Sequence, residues 1–388
     1  METLGQTSIQ SILFFVLYGV TGVVPLLAAL YLLLRPVNAI APGVTPPVRL
    51  RRWTAAFFVV TTLAHVWWLL FYIFSGDPHS VSYLVLVMVD CVLLFTTFAG
   101  MLLAMLQDRR RPVWPAVTAV IPFVLIGGAY MVYPHHLIEQ IAAAYLVLIG
   151  LAFTGYMVVA IRQYGRWLND NYADLENKKV WLSQAVSLVS MLLFVLYVLA
   201  TDIVFIWIIH IIELVIVVLL LWRVESLPQL SLTPDPSPRG EGSDYTQGGT
   251  VADELSTPLA IRRGVGGEAP ITIDLDLIER LLKKYCVAQQ IYLQQDLNLE
   301  ELAQAIGTNR SYLSQYFSRQ GITYNTYINS LRVNHFISRY EEVAKTQQPF
   351  TVQQLAEESG FRSYSTFSRA FTQRMGQSVT AWMRESGK

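Results

Sequence analysis

Charge is scarce in this sequence: only 14% of its 388 residues are Asp, Glu, Lys or Arg, against about 25% in an ordinary soluble chain. With 53% hydrophobic residues and a mean hydropathy of +0.42, the shortfall argues against a wholly soluble enzyme. The formal net charge is zero, so the total alone points to no partner of one sign. Cysteine is nearly absent. Cys91 and Cys286 lie far apart in the chain, which excludes a disulfide framework and reads as two small buried thiols. Catalytic signatures are missing too: no glycine-rich dinucleotide turn, no phosphate-binding loop and no GxSxG elbow. The chain therefore reads as a non-enzyme, and no cofactor is expected.

The charge that is present is unevenly spread. Residues 1–222 carry 21 charged side chains, whereas the 118 residues of 271–388 carry 24. Two physical regimes share one chain. In the first, seven apolar runs stand at about 11–34, 53–74, 81–106, 113–132, 137–161, 181–200 and 203–222. Each approaches the roughly 20 residues that cross a bilayer core as a helix. The first run, SILFFVLYGVTGVVPLLAALYLLL, is too long for a signal-peptide core and has no Lys or Arg before it. It is expected to be a retained helix.

The connections fix an expected orientation. Those at 35–52, 107–112 and 162–180 hold eleven Lys and Arg, and those at 75–80, 133–136 and 201–202 hold none. The positive-inside rule then predicts the N-terminus outside and the C-terminus in the cytoplasm. An odd number of spans agrees. Trp53, Trp114, Trp181 and Trp222 fall at the expected inner ends, where interfacial aromatics belong. Pro25, Pro115 and Pro122 are tolerable in such a bundle, because neighbouring groups can re-satisfy freed carbonyls.

Ionisable residues inside spans are costly and are candidate functional groups. Here they are His65, Asp90, Glu139, His210 and Glu213. His210 and Glu213, three apart, share one helix face. Three readings stay open: polar residues that fix the bundle, an outward-facing ligand pocket, and a metal or proton-linked site. A lone HxxE is weak evidence for metal, and no metal site is expected.

Residues 223–270 change character, with seven Gly and six Pro among 48 positions. Such a segment cannot bury enough apolar surface to offset chain entropy. It is expected to be a flexible tether.

The remaining 271–388 returns to helical patterning. The stretch 275–295 places Leu277, Leu281, Leu282, Tyr285 and Ile291 at helical spacing. Asn298, with Glu301 three residues on, resembles a capping box that starts a short helix, and Gly307 stops it. Thr308 is expected to cap a second helix. Leu313 and Phe317 face the core there, and Asn309, Arg310, Ser311, Ser314 and Gln315 face outward. This is a helix-turn-helix. It recurs about 53 residues later: Gly360 repeats Gly307, and Phe367 with Phe371 repeats Leu313 with Phe317. A long helix over about 325–343 joins the copies. Arg310, Arg319, Arg332 and Arg339 fall in a stretch without acids, as do Arg362, Arg369, Arg374 and Arg384. Basic surfaces of this kind attract phosphate, and interleaved Ser, Thr, Asn and Gln can bond base edges.

The segment Gly360-Phe361-Arg362-Ser363-Tyr364-Ser365-Thr366-Phe367-Ser368-Arg369-Ala370-Phe371, followed by Gly376 to Trp382, resembles the signature of AraC/XylS-type transcription regulators. The resemblance covers about 285–388. Val379 stands where a Pro is usual, Phe336 where a small Ala is frequent, and Arg339-Tyr340 in place of a Leu pair. The resemblance implies two helix-turn-helix units reading successive major-groove faces of double-stranded DNA. Matched by position, the first recognition helix would use Asn309, Arg310, Ser311, Ser314 and Gln315. The second would use Tyr364, Ser365, Thr366, Ser368 and Arg369, with Arg369 the strongest direct contact.

The expected fold is all-α: a seven-helix transmembrane domain (1–222), a linker (223–270) and a duplicated helix-turn-helix domain (271–388). The expected function is a bacterial transcription regulator of the inner, cytoplasmic membrane. Its expected partners are double-stranded DNA and the lipid bilayer, with a homodimer, RNA polymerase and an unidentified small-molecule or envelope signal as further ones. The alternative is a seven-helix transporter or membrane enzyme with an appended regulatory domain.

Overall fold

A computed structural model of the chain describes residues 2–35, 38–41, 43–74, 77, 80–175, 178–189, 203–230, 275–346 and 349–386. Among these residues every regular element is helical. The chain divides into two compact units, one of residues 1–165 and 177–232, the other of residues 166–176 and 233–388.

The first unit contains α1 (Glu2–Leu34), α2 (Val48–Phe74), α3 (Val81–Met105), α4 (Trp114–Ala119), α5 (Ile121–Val132), most of α6 (His136–Asn171) and α7 (Ile203–Ser226). Six helical segments among the described residues are long and apolar enough to cross a membrane. The run expected at 181–200 is helical over 181–189 and otherwise lies outside the described residues. α4 and α5 make one span between them. Their junction falls at Val120, just before Pro122, where the missing N–H ends continuous helical bonding.

These helices invert the pattern of a soluble bundle. Leu34 (77% exposed), Phe74 (82%) and Val132 (85%) point away from the unit, and their contact with water would cost what burial normally supplies. A hydrocarbon surround removes that cost. Inside, small residues allow close approach. A Cβ on Gly100 would collide with the Trp53 ring, so glycine lets the indole lie against α3.

The connections expected to be basic are built into the unit. Arg111, fully buried, pairs with Asp108 at 2.7 Å. Arg51 donates to the Leu32 carbonyl, Arg49 to that of Arg111, and Arg223 to that of Lys179. Leu32 lies in the last turn of α1, where backbone carbonyls have no helical partner. Residues 223–230, expected to open the tether, are packed instead. Glu225 accepts from the Ile40 N–H at 2.7 Å and from Tyr31, and Gln107 bonds both the Pro228 carbonyl and the Leu230 N–H. The rest of the expected tether lies outside the described residues.

The second unit contains α8 (Leu275–Leu281), α9 (Leu299–Ala305), α10 (Arg310–Arg319), α11 (Tyr324–Thr346), α12 (Val352–Glu358), α13 (Tyr364–Met375) and α14 (Val379–Ser386). The helix expected over 275–295 is broken into α8, a π-turn at Leu282–Val287 and a 3-10 turn at Ile291–Leu293. Gln290 between them adopts a left-handed φ of 55°. The break turns the carbonyls of Tyr292 and Gln294 toward Arg332, which donates to them at 2.7 and 2.6 Å.

Two cores hold this unit. One joins Ile278, Leu282, Cys286, Leu302, Ile306, Leu313, Phe317 and Ile328, and the other joins Phe336, Leu355, Phe361, Phe367, Phe371 and Val379. Phe336 fills the second core, 4.4 Å from the Phe367 ring. Tyr340 packs 5.1 Å from Trp382. Phe336, Tyr340 and Val379, three of the residues that depart from the pattern, thus all lie in this second core.

Candidate functional sites: a nucleic-acid interface and a buried polar cluster

The duplication is visible bond by bond. Asn298 caps α9, with Glu301 reaching back to the Asn298 N–H at 3.0 Å, and Thr351 caps α12 at Gln354. Each cap contributes about 1 kcal/mol. Gly307 (φ 75°) and Gly360 (φ 87°) then end those helices in the left-handed conformation. The next residue closes the turn in the same way twice: Thr308 N–H to the Ala303 carbonyl at 2.8 Å, and Phe361 N–H to the Ala356 carbonyl at 3.1 Å. Both turns lead into a helix, α10 or α13, that buries one aromatic-rich face.

Gly360 has a second role. A Cβ there would lie 2.6 Å from the Leu293 carbonyl oxygen, so the turn of the second motif sits directly on the 290–294 loop. Arg332 grips that same loop from α11. Its guanidinium is pushed down to about 10 by desolvation. Together these contacts fix the second motif relative to the first.

The expected contact residues divide into groups. Ser311, Ser314 and Gln315 are exposed on α10, and Tyr364, Ser365 and Arg369 are exposed on α13. Arg369 makes no ion pair with any acid among the described residues. Tyr364, Ser365, Ser368 and Arg369 line an open concavity together with Thr372 and Gln373. Those last two continue the Ser365, Ser368, Arg369 face by one turn, a spacing the sequence carried and the expected set omitted.

Asn309 is exposed but caps α10, accepting from the Tyr312 N–H at 2.8 Å. The cap thus stands one residue later than the expected Thr308, whose hydroxyl is buried without a partner among the described residues. Thr366 is half-buried and donates to Asp174 at 3.3 Å, while Arg310 donates to the Asn171 carboxamide oxygen at 3.0 Å. The same short segment receives Asn325 at the carbonyls of Tyr172 and Ala173, and Asn329 at that of Ala173. Residues 171–174 therefore touch both recognition helices and the connecting helix within this unit.

The arginine inventory is also narrower than the sequence implied. Arg332 is buried, Arg339 pairs with Glu342 and Glu358, and Arg362 pairs with Asp296 at 3.1 Å. Glu342, one turn on, and Glu358 and Asp296, distant in sequence, neutralise Arg339 and Arg362, while Arg332 donates to backbone carbonyls. Arg319, Arg369, Arg374 and Arg384 remain exposed.

In the first unit, three of the five expected ionisable residues converge. His65 on α2 and His210 and Glu213 on α7 bring one ligand atom each to within 4.8 Å of one another. Asp90 on α3 is not among them and accepts from the indole N–H groups of Trp67, at 2.9 Å, and Trp68. Glu139 is exposed in the first turn of α6.

Residues 302–385 match the family model of a helix-turn-helix domain of the AraC type. No curated protein and no solved structure matches the chain. The matched domain is one used by DNA-binding transcription regulators, and the helices before it are apolar enough for membrane spans.

Proposed function

We propose that the chain is a membrane-embedded, sequence-specific transcription regulator. In this reading the helices α1–α7 and the run at 181–200 cross the inner membrane with the N-terminus outside. The duplicated helix-turn-helix stands in the cytoplasm on double-stranded DNA. The observation that carries the reading is the pair of matching turns, Gly307 and Gly360, each presenting a polar, acid-free helix face, in one chain with long apolar helices.

Ser311, Ser314, Gln315, Tyr364, Ser365, Ser368 and Arg369 read base edges and phosphates, and Asn309 orients its helix. The tethered domain acts as a dimer, with RNA polymerase as its partner at the promoter. The signal enters at His65, His210 and Glu213. The contacts of residues 171–174 with Arg310 and Thr366 support a regulated surface, because groups bonded there are withheld from phosphate and bases. A transporter with an appended domain would need ionisable residues paired along a through-path. The described cluster is a single group of three, which favours sensing.

Genome-wide mapping of bound DNA in a bacterium expressing the full chain tests this reading. Discrete peaks sharing one motif, with occupancy altered by His210→Ala and Glu213→Gln, are expected. Discrete peaks indifferent to those substitutions would remove the sensing role, and an absence of peaks would remove the regulator.

A further inference from the structure

The cluster at His65, His210 and Glu213 contains an electrostatic conflict. His65 Nδ1 lies 2.9 Å from the Thr61 carbonyl oxygen, which can only accept, so Nδ1 carries the hydrogen. In the neutral ring Nε2 then bears a lone pair. That nitrogen faces the Glu213 Oε2 at 3.6 Å, buried and without a hydrogen-bond partner among the described residues. Two acceptors confront each other at a buried ring nitrogen, an arrangement that costs free energy unless a proton or a metal cation stands between them.

The second histidine converges on the same oxygen, with no partner among the described residues that fixes its tautomer. His210 Nδ1 lies 3.5 Å from the same carboxylate oxygen and 3.5 Å from the Thr21 hydroxyl. That hydroxyl already donates to the Tyr18 carbonyl at 2.9 Å, or to that of Leu17 at 3.1 Å, so toward His210 it can only accept. Glu213 Oε1 is likewise buried and unpartnered among the described residues.

We propose that His65, His210 and Glu213 form a binding site for a divalent transition cation of the zinc class. The spacing fits. Bonds of about 2.0–2.1 Å in a tetrahedral shell place ligand atoms about 3.3–3.4 Å apart, close to the 3.5 and 3.6 Å from Glu213 to the two histidines, with all three ligand atoms within 4.8 Å of one another. The donor set of two imidazoles and one carboxylate suits such ions and leaves a fourth position for water or an incoming ligand. The Thr61 carbonyl acts as the outer partner that fixes the His65 tautomer, the usual support of a metal-bound imidazole. Packing supports it as well. A Cβ on Gly22 would lie 3.3 Å from the His65 Cβ, so glycine lets α1 close against the ring. The Tyr18 hydroxyl donates to the His65 carbonyl at 2.7 Å, tying α1 to α2 at the same level.

The inference names the ligand class of the pocket proposed above. It rests on that reading only for the sensing role, since the site would bind metal whether or not the second unit reads DNA. A bound cation would draw α2 and α7 together, and its loss would leave the lone pairs to repel.

The test uses the full chain, stripped with chelator and held in detergent micelles, with Zn²⁺ for affinity and Co²⁺ as a spectroscopic probe. A His135→Gln/His136→Gln background removes the adjacent surface pair, whose rings are 4.5 Å apart. One Zn²⁺ per chain and a Co²⁺ ligand-field band are expected in that background. Both should be lost in His210→Ala and in Glu213→Gln, with affinity falling by more than the about 10–100-fold that loss of an outer partner costs. Helical circular dichroism and elution volume confirm that each variant is folded. His65→Ala supplies a second route should either α7 variant misfold. Absence of the Co²⁺ band in the background protein, or a band indifferent to all three substitutions, would overturn the proposal and leave a proton-held polar pair. Duplex binding by the same preparations is read separately, so a failed metal site and a failed DNA reader are distinguishable.

Discussion

At the scale of single residues, two positions decide most about the second unit. Arg369 is exposed on α13, unpaired with any acid among the described residues, beside Ser365 and Ser368. A guanidinium so placed can bond a guanine edge bidentately, worth about 1–3 kcal/mol of discrimination. Arg369→Ala should therefore weaken binding to a preferred duplex and flatten the preference at one base pair. Titration against single-base variants of the site measures this, and an equal loss on every sequence would reassign Arg369 to phosphate. Gly360 is decisive for the opposite reason, since it has no side chain. Its φ of 87° and the 2.6 Å approach to the Leu293 oxygen leave no space for a methyl group. Gly360→Ala should cost about 1–3 kcal/mol in backbone strain alone, read as a lower denaturation midpoint of the second unit. Gly307, with open space where its Cβ would be, should tolerate alanine better in the same assay.

At the scale of elements, the connecting helix α11 carries the rigidity. Arg332 bonds two carbonyls of the 290–294 loop and lies over the Phe361 ring, so one side chain joins both motifs. Arg332→Ala leaves those carbonyls without their donor, a loss of about 1–3 kcal/mol for a buried group. Hydrogen exchange should show faster opening around 290–294 and at the start of α13, while α10 keeps its protection. The outline of these elements was legible in the sequence: the cap at Asn298, the stops at Gly307 and Gly360, and the apolar pairs Leu313/Phe317 and Phe367/Phe371 came from local chemistry. The break after α8 was not legible, because LLKKYCVAQQ is patterned as a continuous helix. What interrupts it is a tertiary demand from Arg332, about 40 positions away in sequence. The roles of Arg332, Arg339 and Arg362 were hidden for the same reason. Sequence shows a run without acids, and only folding brings Glu358 and Asp296 beside it.

At the scale of the whole molecule, the site residues fell into the groups that chain connectivity allows. His210 and Glu213, one helical turn apart, were readable as a pair, and His65 joined them only through the packing of α1, α2 and α7. Residues 171–174 belong with the second unit although they continue the apolar helix α6. No local pattern announces a contact between Asn171 and Arg310, or between Asp174 and Thr366, across 139 and 192 positions. If those bonds restrain the recognition helices, Asn171→Ala combined with Asp174→Ala should tighten duplex binding by about 2–10-fold, the worth of one or two released hydrogen bonds. Fluorescence anisotropy with a labelled duplex measures it.

The central claim, that this chain reads duplex DNA through two successive helix-turn-helix faces, is tested most directly by selecting binding sites from random duplexes with the full chain in lipid nanodiscs. Two conserved half-sites separated by about one helical turn, roughly 34 Å, are predicted, with protection over about two turns per chain. Recovery of no enriched sequence, with retention equal to that of random DNA, would contradict it.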